Sequence, residues 1–156
     1  MNKFFIKISL DGSVNRTKFQ YNAGQMLQAS VLLYNLTKEN LYLEEAQRLA
    51  SACAQYFFED FVAEDGESFK AIKNGNVWFV AIMLRGFEEL YKVDRNPVYL
   101  NSFKKTLQYM WEHNPNQNML FDDDCFVEKR SESKDTKWLL TQAAMIEMYA
   151  RLSKIK

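Results

Sequence analysis

The sequence has few of the residues that interrupt helices or bind metals. Its 156 residues include 5 Gly, 2 Pro, 2 Cys and 1 His. So few turn-forming residues argue against a sandwich of many short strands and favour long helices. The single His113 excludes a site built from several histidines, and Cys53 and Cys125 have neither metal-binding nor redox spacing. We therefore expect no metal and no cofactor.

An excess of one charge and long apolar runs are also absent. Twenty Lys and Arg balance twenty Asp and Glu, which excludes the basic footprint of a dedicated nucleic-acid binder. No apolar run approaches the roughly 18 residues that a membrane span needs. The N-terminus begins like a signal peptide, but Asp11 and Gly12 end its apolar stretch and no cleavage site follows. We expect neither nucleic acid nor membrane as a partner, and any export signal would lie outside this sequence.

The residues that are present predict one domain, 1–156, with a substantial core. The chain is 47% hydrophobic and 15% aromatic, which excludes wholesale disorder. Apolar periodicity predicts five helices, and Asn40 and the Asn96-Pro97 pair are typical starts of the second and fourth. The predicted helices cover 22–36, 41–60, 77–93, 97–113 and 138–152. Residues 1–20, 61–76 and 114–136 are predicted as loops or short strands.

The predicted helices are of two kinds that alternate along the chain. The second and fourth carry a single apolar stripe, as in Ala46, Leu49, Cys53 and Phe57, and have a solvent side. The third reads 77–84 without a polar residue, and the first and fifth are similarly apolar on most sides. This alternation predicts an inner layer of helices that are covered all round and an outer layer of amphipathic ones.

An internal repeat indicates the same arrangement. Leu33-Tyr34, Thr37 and Tyr42-Leu43 recur 57 positions later as Leu90-Tyr91, Asp94 and Tyr99-Leu100. Each copy spans the end of an inner helix, a tight turn and the start of an outer helix. Met148-Tyr149 resembles the opening of a third copy. The fold class that we predict is therefore all-α, with stacked αα-hairpins that form part of an (α/α)6 toroid.

The N-terminal ends of the inner helices are the predicted functional site. Such ends carry free N–H groups and partial positive charge, and in a ring they surround a central cleft. Each end combines an aromatic ring with polar groups, and sugars need both. The candidate substrate-binding residues are Tyr21, Asn22, Gly24, Lys73, Asn74, Trp78, Asp135 and Trp138. The alternative interpretation is that Asn22, Asn76 and Asp135 are ordinary helix caps and that the aromatic residues belong to the core.

These motifs resemble glycoside hydrolase family 76, the bacterial and fungal endo-α-1,6-mannanases. Tyr21-Asn22-Ala23-Gly24 is similar to the family's usual Tyr-Asn-Gln-Gly, which precedes a helix ending in Leu-Tyr-x-x-Thr. The stretch from Lys73 to Arg85 resembles its Lys-Gly-(Ile/Val)-Phe-x-Arg region, and 138–147 resembles its closing helix. The likeness covers residues 12–152 in order.

The resemblance implies an (α/α)6 toroid that hydrolyses mannan with two adjacent aspartates, in a family that is usually secreted or periplasmic. Ala23 departs from the family pattern by replacing a Gln. The family's aspartate pair lies upstream of the Tyr-Asn motif, so the chain corresponds to the C-terminal half of the ring. No residue of this sequence is therefore assigned a catalytic role, and the implied partner is a mannan-like oligosaccharide.

Four other features are given structural roles. Asp122-Asp123-Asp124 lies downstream of where a catalytic pair belongs and is predicted to be a solvated loop tip. His113 is predicted to cap the fourth helix. Arg85, in an apolar helix, needs a partner such as Glu88, Glu89 or a carboxylate of a neighbouring helix. Gln142 is also expected to be structural.

Two other classes of function are open on the sequence alone. One is a helical-repeat module with a groove for a protein segment, although the 57-residue spacing differs from the 34-residue tetratricopeptide repeat. The other is an inactive remnant that pairs its open edges with another copy. Because a partial ring leaves apolar helix flanks uncovered, we expect the isolated chain to self-associate as a homo-oligomer or to be poorly soluble.

Overall fold

A computed structural model describes residues 7–8, 10–15, 17–73, 75–113, 120–122 and 137–155. Five helices and four short strands follow one another in this part of the chain. In order they are β1 (Lys7–Ile8), β2 (Val14–Asn15), α1 (Gln20–Thr37), α2 (Asn40–Phe57), β3 (Phe58–Val62), β4 (Ser68–Ile72), α3 (Val77–Asp94), α4 (Val98–Glu112) and α5 (Leu139–Leu152). The predicted all-α class of stacked αα-hairpins is confirmed, with a β3–β4 hairpin between the second and third helices.

Helix α3 lies at the centre of an inner layer and is flanked by α1 and α5. Of its 18 residues only Lys92 is exposed, as expected for a helix that is covered on all sides. Early residues of α1 contact early residues of α3, and Arg85 of α3 contacts Glu147 of α5, so the three inner helices run parallel. Helices α2 and α4 return on the outside, each with one buried stripe.

The backbones of α1 and α3 touch at two glycines. A Cβ atom on Gly86 would lie 2.5 Å from the carbonyl oxygen of Gly24, and a Cβ on Gly24 would collide with the Met83 Cα atom. Only glycine allows two helix backbones to come this close. The two glycines therefore fix the distance between the first two inner helices.

The 57-residue repeat is visible in the turns that end α1 and α3. Lys38 and Arg95 both adopt the left-handed conformation, with φ of 63° and 56°. Their backbone N–H groups donate to the carbonyl oxygens of Tyr34 and Tyr91, at 2.8 and 3.0 Å. Each basic side chain also lies 5.7 Å from the ring centroid of that same tyrosine. The two copies of the sequence repeat therefore form the same turn.

Three predicted helix ends are corrected. The second helix does not reach Asp60, because Phe58 takes an extended backbone and begins β3. Its N-cap is Glu39, so Asn40 is the first helical residue and not the cap. The fourth helix begins at Val98, although the Asn96 side chain does accept a hydrogen bond from the Val98 N–H at 3.1 Å.

The β3–β4 hairpin joins the second and third helices and packs on α4. Its antiparallel register pairs Phe58 with Ile72 at the buried end. The Ile72 N–H donates to the Thr106 hydroxyl oxygen of α4 at 3.1 Å, and the ring of Phe58 packs edge-on against Phe103 at 5.5 Å. The predicted loop at 61–76 is thus mostly a short hairpin that is anchored to the outer layer.

The expectation that every inner helix is covered all round is wrong for α1 and α5 in the described part of the chain. Leu36 is 82% exposed and Leu33 42% exposed on α1, while Leu139 is 80% and Ile146 69% exposed on α5. Only α3 has an inner helix on both sides, so the outward faces of the two flanking helices remain open. Among the described residues, no helix is both long enough and apolar enough to cross a bilayer.

The glycine contact gives the first testable prediction. Replacing Gly86 or Gly24 by Ala should lower the free energy of unfolding by about 3 kcal/mol, because the added methyl group meets backbone atoms that cannot move aside. Urea denaturation measures this loss. The control is Gln47→Ala at an exposed position of α2, which should change stability by less than about 0.5 kcal/mol. An equally small effect at Gly86 would contradict the backbone contact.

Candidate functional site

Four aromatic rings meet where α1 and α3 begin. Tyr21 lies 6.2 Å from Trp78 in a stacked arrangement with an interplanar angle of 15°, and 4.6 Å from Phe79. Phe19 stacks on Tyr21 at 5.8 Å and meets Phe79 edge-on at 5.6 Å. We call these four residues the aromatic cluster. It brings two of the three predicted N-terminal ends together.

Polar groups lie next to the aromatic cluster. The Asn76 side chain accepts a hydrogen bond from the Trp78 N–H at 3.2 Å and so caps α3. The side chain of Gln20, a buried residue, lies against Gly75, where an added Cβ would be 2.7 Å from the amide nitrogen. The indole Nε1 of Trp78 is buried and has no hydrogen-bond partner in the described structure.

The structure places the predicted binding residues Asn22, Gly24 and Lys73 in three different surroundings. Asn22 is not a cap, because Phe19 is the N-cap of α1; it lines a pocket between α1 and α2. Gly24 lies in the backbone contact with α3. The Lys73 ammonium donates to the Tyr56 carbonyl oxygen at 2.9 Å, which directs it toward α2. Asn74, and likewise Asp135 before α5, lie outside the described residues.

The start of α5 is held by a short segment that precedes it. Trp138 is the N-cap and is 50% exposed. The Gln142 side chain accepts from the Phe121 N–H and donates to the Phe121 carbonyl oxygen, both at 2.9 Å. Lys137 and Asp122 form an ion pair at 2.5 Å whose side chains are only 9% and 12% exposed. Asp122 is therefore engaged by an ammonium group, while Asp123 and Asp124 lie outside the described residues.

An ion network joins α3 to α5. Arg85 donates two hydrogen bonds of 2.7 Å to the carboxylate of Glu147, which also accepts from Arg151. Arg151 in turn donates to Glu88 at 2.6 Å. Arg85 is less buried than its sequence context indicated, since 40% of its side chain is exposed. The hydrogen bonds from Arg85, followed by those from Arg151, hold the pKa of Glu147 below its usual value.

The pocket between α1 and α2 has a volume of about 70 Å³ and contains a free thiol. Burial raises the pKa of the Cys53 thiol to about 12, so the sulfur is an inert, protonated group. The Lys18 ammonium lies 4.1 Å from the Tyr56 ring centroid at the same pocket. No group of three or more His, Cys, Asp or Glu side chains within the described ranges could hold a metal ion.

The single histidine lies at the C-terminal end of the outer helix α4. His113 is the C-cap of α4, and its Nδ1 atom is 3.0 Å from the Tyr109 carbonyl oxygen. Its ring stacks on the Tyr109 ring with a centroid separation of 4.0 Å. Both contacts fit the predicted role of a helix-end cap.

The stacked αα-hairpins form a segment of an α/α toroid. The family model described as glycosyl hydrolase family 76 matches the sequence over residues 8–89, more than half of the chain. The protein belongs to glycoside hydrolase family 76.

Solved structures of the same family show this fold over nearly the whole chain. A family 76 glycoside hydrolase from a bovine Bacteroides thetaiotaomicron strain is 34% identical with a TM-score of 0.83, over 92% of this chain and 30% of that one. A family 76 mannosidase from Bacteroides thetaiotaomicron VPI-5482 is 36% identical with a TM-score of 0.81, over 91% of this chain and 38% of that one. The chain thus spans about a third of the length of these proteins.

A third structure shares the fold at lower identity. A GH76 α-mannanase from Bacteroides thetaiotaomicron is 24% identical with a TM-score of 0.68, over 92% of this chain and 38% of that one. No curated protein matches the chain. The family model over residues 8–89 and the two structures of 34% and 36% identity confirm the family resemblance that the sequence motifs predicted.

Several residues of the site were missed by sequence reasoning. Phe19 and Phe79 complete the aromatic cluster. The sequence could have indicated them only if a contact between Tyr21 and the stretch that begins at Trp78 had been predicted. Gly86 had a signal too, because an isolated glycine in a helix that is otherwise well formed often marks a close backbone contact. The pair of Asp122 and Lys137 had no signal, since the two residues are 15 positions apart in a segment without periodicity.

The ion network predicts a specific loss of stability in acid. Because the folded-state pKa of Glu147 is lowered, the unfolded chain takes up this proton at a higher pH than the folded chain. The stabilisation is complete above the ordinary glutamate pKa and is lost as the pH falls through the folded-state value. Between about pH 5 and about pH 3, the free energy of unfolding should therefore fall more steeply for the wild type than for Glu147→Gln.

Urea denaturation at a series of pH values measures both slopes. Glu44→Gln on the exposed side of α2 is the control and should keep the wild-type slope. Equal slopes for the wild type and Glu147→Gln would show that the network contributes nothing to acid sensitivity.

Proposed function

We propose that this chain forms one wall of the carbohydrate-binding cleft of a family 76 domain and binds a mannan-type oligosaccharide. The observation that carries the proposal is the aromatic cluster at the parallel N-termini of α1 and α3, with the buried and unpartnered Trp78 Nε1 beside it. Similar solved structures are named as a mannosidase and an α-mannanase, which supports mannan as the class of sugar.

The chemistry of the cluster suits a sugar. Apolar C–H faces of a pyranose pack on aromatic rings, and its hydroxyl groups need directional hydrogen bonds. Trp78 offers a ring, and its buried Nε1 has no partner among the described residues, so a sugar that displaces the packing around it would gain a donor. Trp138, half exposed at the start of the neighbouring α5, offers a second ring. The wall that we propose comprises Tyr21, Trp78 and Trp138, and we extend it to Asn74 and Asp135. Asn22 and Lys73 face α2 instead. Gly24 acts through the close approach of its helix to α3.

We also propose that hydrolysis of O-glycosidic bonds needs carboxylates that this sequence does not supply. Glycoside hydrolysis uses two carboxyl groups that flank the scissile bond. Asp122 is already paired with Lys137, and Glu147 is paired with Arg85 and Arg151 at the α3–α5 contact. Neither of these two carboxylates is free to act as acid or nucleophile, and we infer that an active domain takes these groups from other residues.

Tryptophan fluorescence tests the binding wall. Titration with α-1,6-linked mannan oligosaccharides should change the emission saturably at millimolar sugar, because Trp78 and Trp138 lie at the proposed wall. Trp78→Phe keeps an aromatic ring but removes the Nε1 donor, and it should weaken binding about fivefold to tenfold, the usual value of one hydrogen bond.

Trp111→Phe is the matched control, because Trp111 lies on the outer helix α4 and is 54% exposed. This variant should bind like the wild type. A folded sample whose emission does not change at millimolar mannan oligosaccharide, or an equal loss in both variants, would contradict the proposed wall.

A further inference from the structure

Two sets of contacts hold a short segment against the first turn of α5. The Lys137 ammonium pairs with the Asp122 carboxylate at 2.5 Å. The Gln142 side chain accepts from the Phe121 N–H and donates to the Phe121 carbonyl oxygen, both at 2.9 Å. We call these four residues the α5 clamp. Lys137 immediately precedes Trp138 and Gln142 follows it by about one helical turn, so the clamp acts on both sides of this tryptophan.

The ion pair of the α5 clamp is largely removed from water. The side chains of Lys137 and Asp122 are only 9% and 12% exposed. The pair of Lys105 with Glu67 has the same separation of 2.5 Å, but its side chains are 46% and 48% exposed. A buried charge that loses its partner is strongly unfavourable, whereas an exposed pair contributes little. Lys137 and Asp122 should therefore hold each other much more firmly than a surface pair does.

The segment that carries Phe121 and Asp122 is anchored to two helices. The Phe121 ring is 8% exposed and lies 6.4 Å from the Trp111 ring of α4 and 6.2 Å from the Tyr149 ring of α5. The Tyr149 hydroxyl group in turn donates to the Leu107 carbonyl oxygen of α4 at 2.7 Å. The α5 clamp thus joins the start of α5 to a part of the core that is already fixed.

The start of α5 needs such support. Trp138 is the N-cap of the helix and makes no side-chain cap hydrogen bond, and it is 50% exposed. Its carbonyl oxygen accepts from the Thr141 N–H at 3.1 Å and from the Gln142 amide at 3.4 Å. Helix ends without a side-chain cap fray readily. The backbone from which the indole ring projects therefore depends on the contacts on either side of it.

We propose that the α5 clamp positions Trp138, so that its indole ring is presented to the sugar already ordered. Lys137, Asp122 and Gln142 are positioning residues, because they act through Trp138. The inference rests on the proposed binding wall and adds to it the residues that fix one of its rings. A side chain that is ordered before binding loses little freedom when the ligand arrives, which is worth about threefold to tenfold in affinity.

Time-resolved fluorescence anisotropy tests the α5 clamp without any sugar. The chain has three tryptophans, so Trp78→Phe with Trp111→Phe leaves Trp138 as the single emitter. In this background the decay should be dominated by the tumbling of the whole chain. Lys137→Met should raise the amplitude of the fast, local component at least about twofold, because a helix end that has lost its contacts frays.

Three further variants in the same background complete this test. Lys137→Arg keeps a cation for Asp122 and should restore the small amplitude. Lys105→Met is the matched control, since it breaks the exposed ion pair with Glu67, and it should leave the decay unchanged. Gln142→Ala removes the other part of the clamp without leaving a buried charge, and it should raise the fast amplitude even if Lys137→Met fails to fold. Far-UV circular dichroism checks the fold of each variant.

Titration with α-1,6-linked mannan oligosaccharide, in chains that retain all three tryptophans, tests the effect on binding. Lys137→Met and Gln142→Ala should raise the dissociation constant about threefold to tenfold, and Lys137→Arg should bind like the wild type. Lower thermal stability with unchanged anisotropy and affinity would show a merely structural role and overturn the proposal. A wild type that does not respond to the sugar would instead overturn the binding wall, while the anisotropy decay would still decide whether the clamp holds Trp138.

Discussion

The contact between the backbones of Gly24 and Gly86 determines where the other parts of this structure lie. Without Cβ atoms at these positions, α1 and α3 approach until backbone meets backbone. The rings of Tyr21 and Trp78, one turn and two turns earlier on their helices, are thereby placed 6.2 Å apart. A side chain at either glycine would push the helices apart and separate the rings, so the packing of the core and the geometry of the proposed wall have one common cause.

The second contact of the inner layer adds a different kind of interaction. Helix α5 buries Met145 and Met148 in the core, and it is also joined to α3 by the ion pairs of Glu147 and Arg151 with Arg85 and Glu88. Ion pairs that are about one-third exposed are weak and depend on pH and salt, whereas a contact between buried backbones does not. Solution conditions can therefore weaken the ion pairs of the second contact, but not the backbone contact of the first.

The sequence was most informative where the pattern is local. Apolar periodicity predicted the ends of every helix to within three residues. The repeat predicted the paired turns at Lys38 and Arg95. It did not predict their left-handed conformation, because neither residue is the glycine that usually signals it. The predicted second helix wrongly includes residues 58–60. Their extended backbone instead follows from pairing with β4, which is held by Thr106. The position of Lys73 likewise depends on a residue distant in sequence, because its ammonium group donates to the Tyr56 carbonyl oxygen.

A helix that is apolar on two opposite faces needs two neighbours, and α1 has one of these in α3. Apolar patterning predicted that α1 needs a neighbour on each apolar face, but it did not identify those neighbours. A helix that is apolar on most sides does not specify what covers each side. The inner helices are parallel, so another inner helix packed on the exposed side of α1 would also bring a further N-terminus beside Tyr21. The uncovered edge and the incomplete cleft are therefore one structural problem: closing the layer would also complete the ring of helix ends in which we place the sugar.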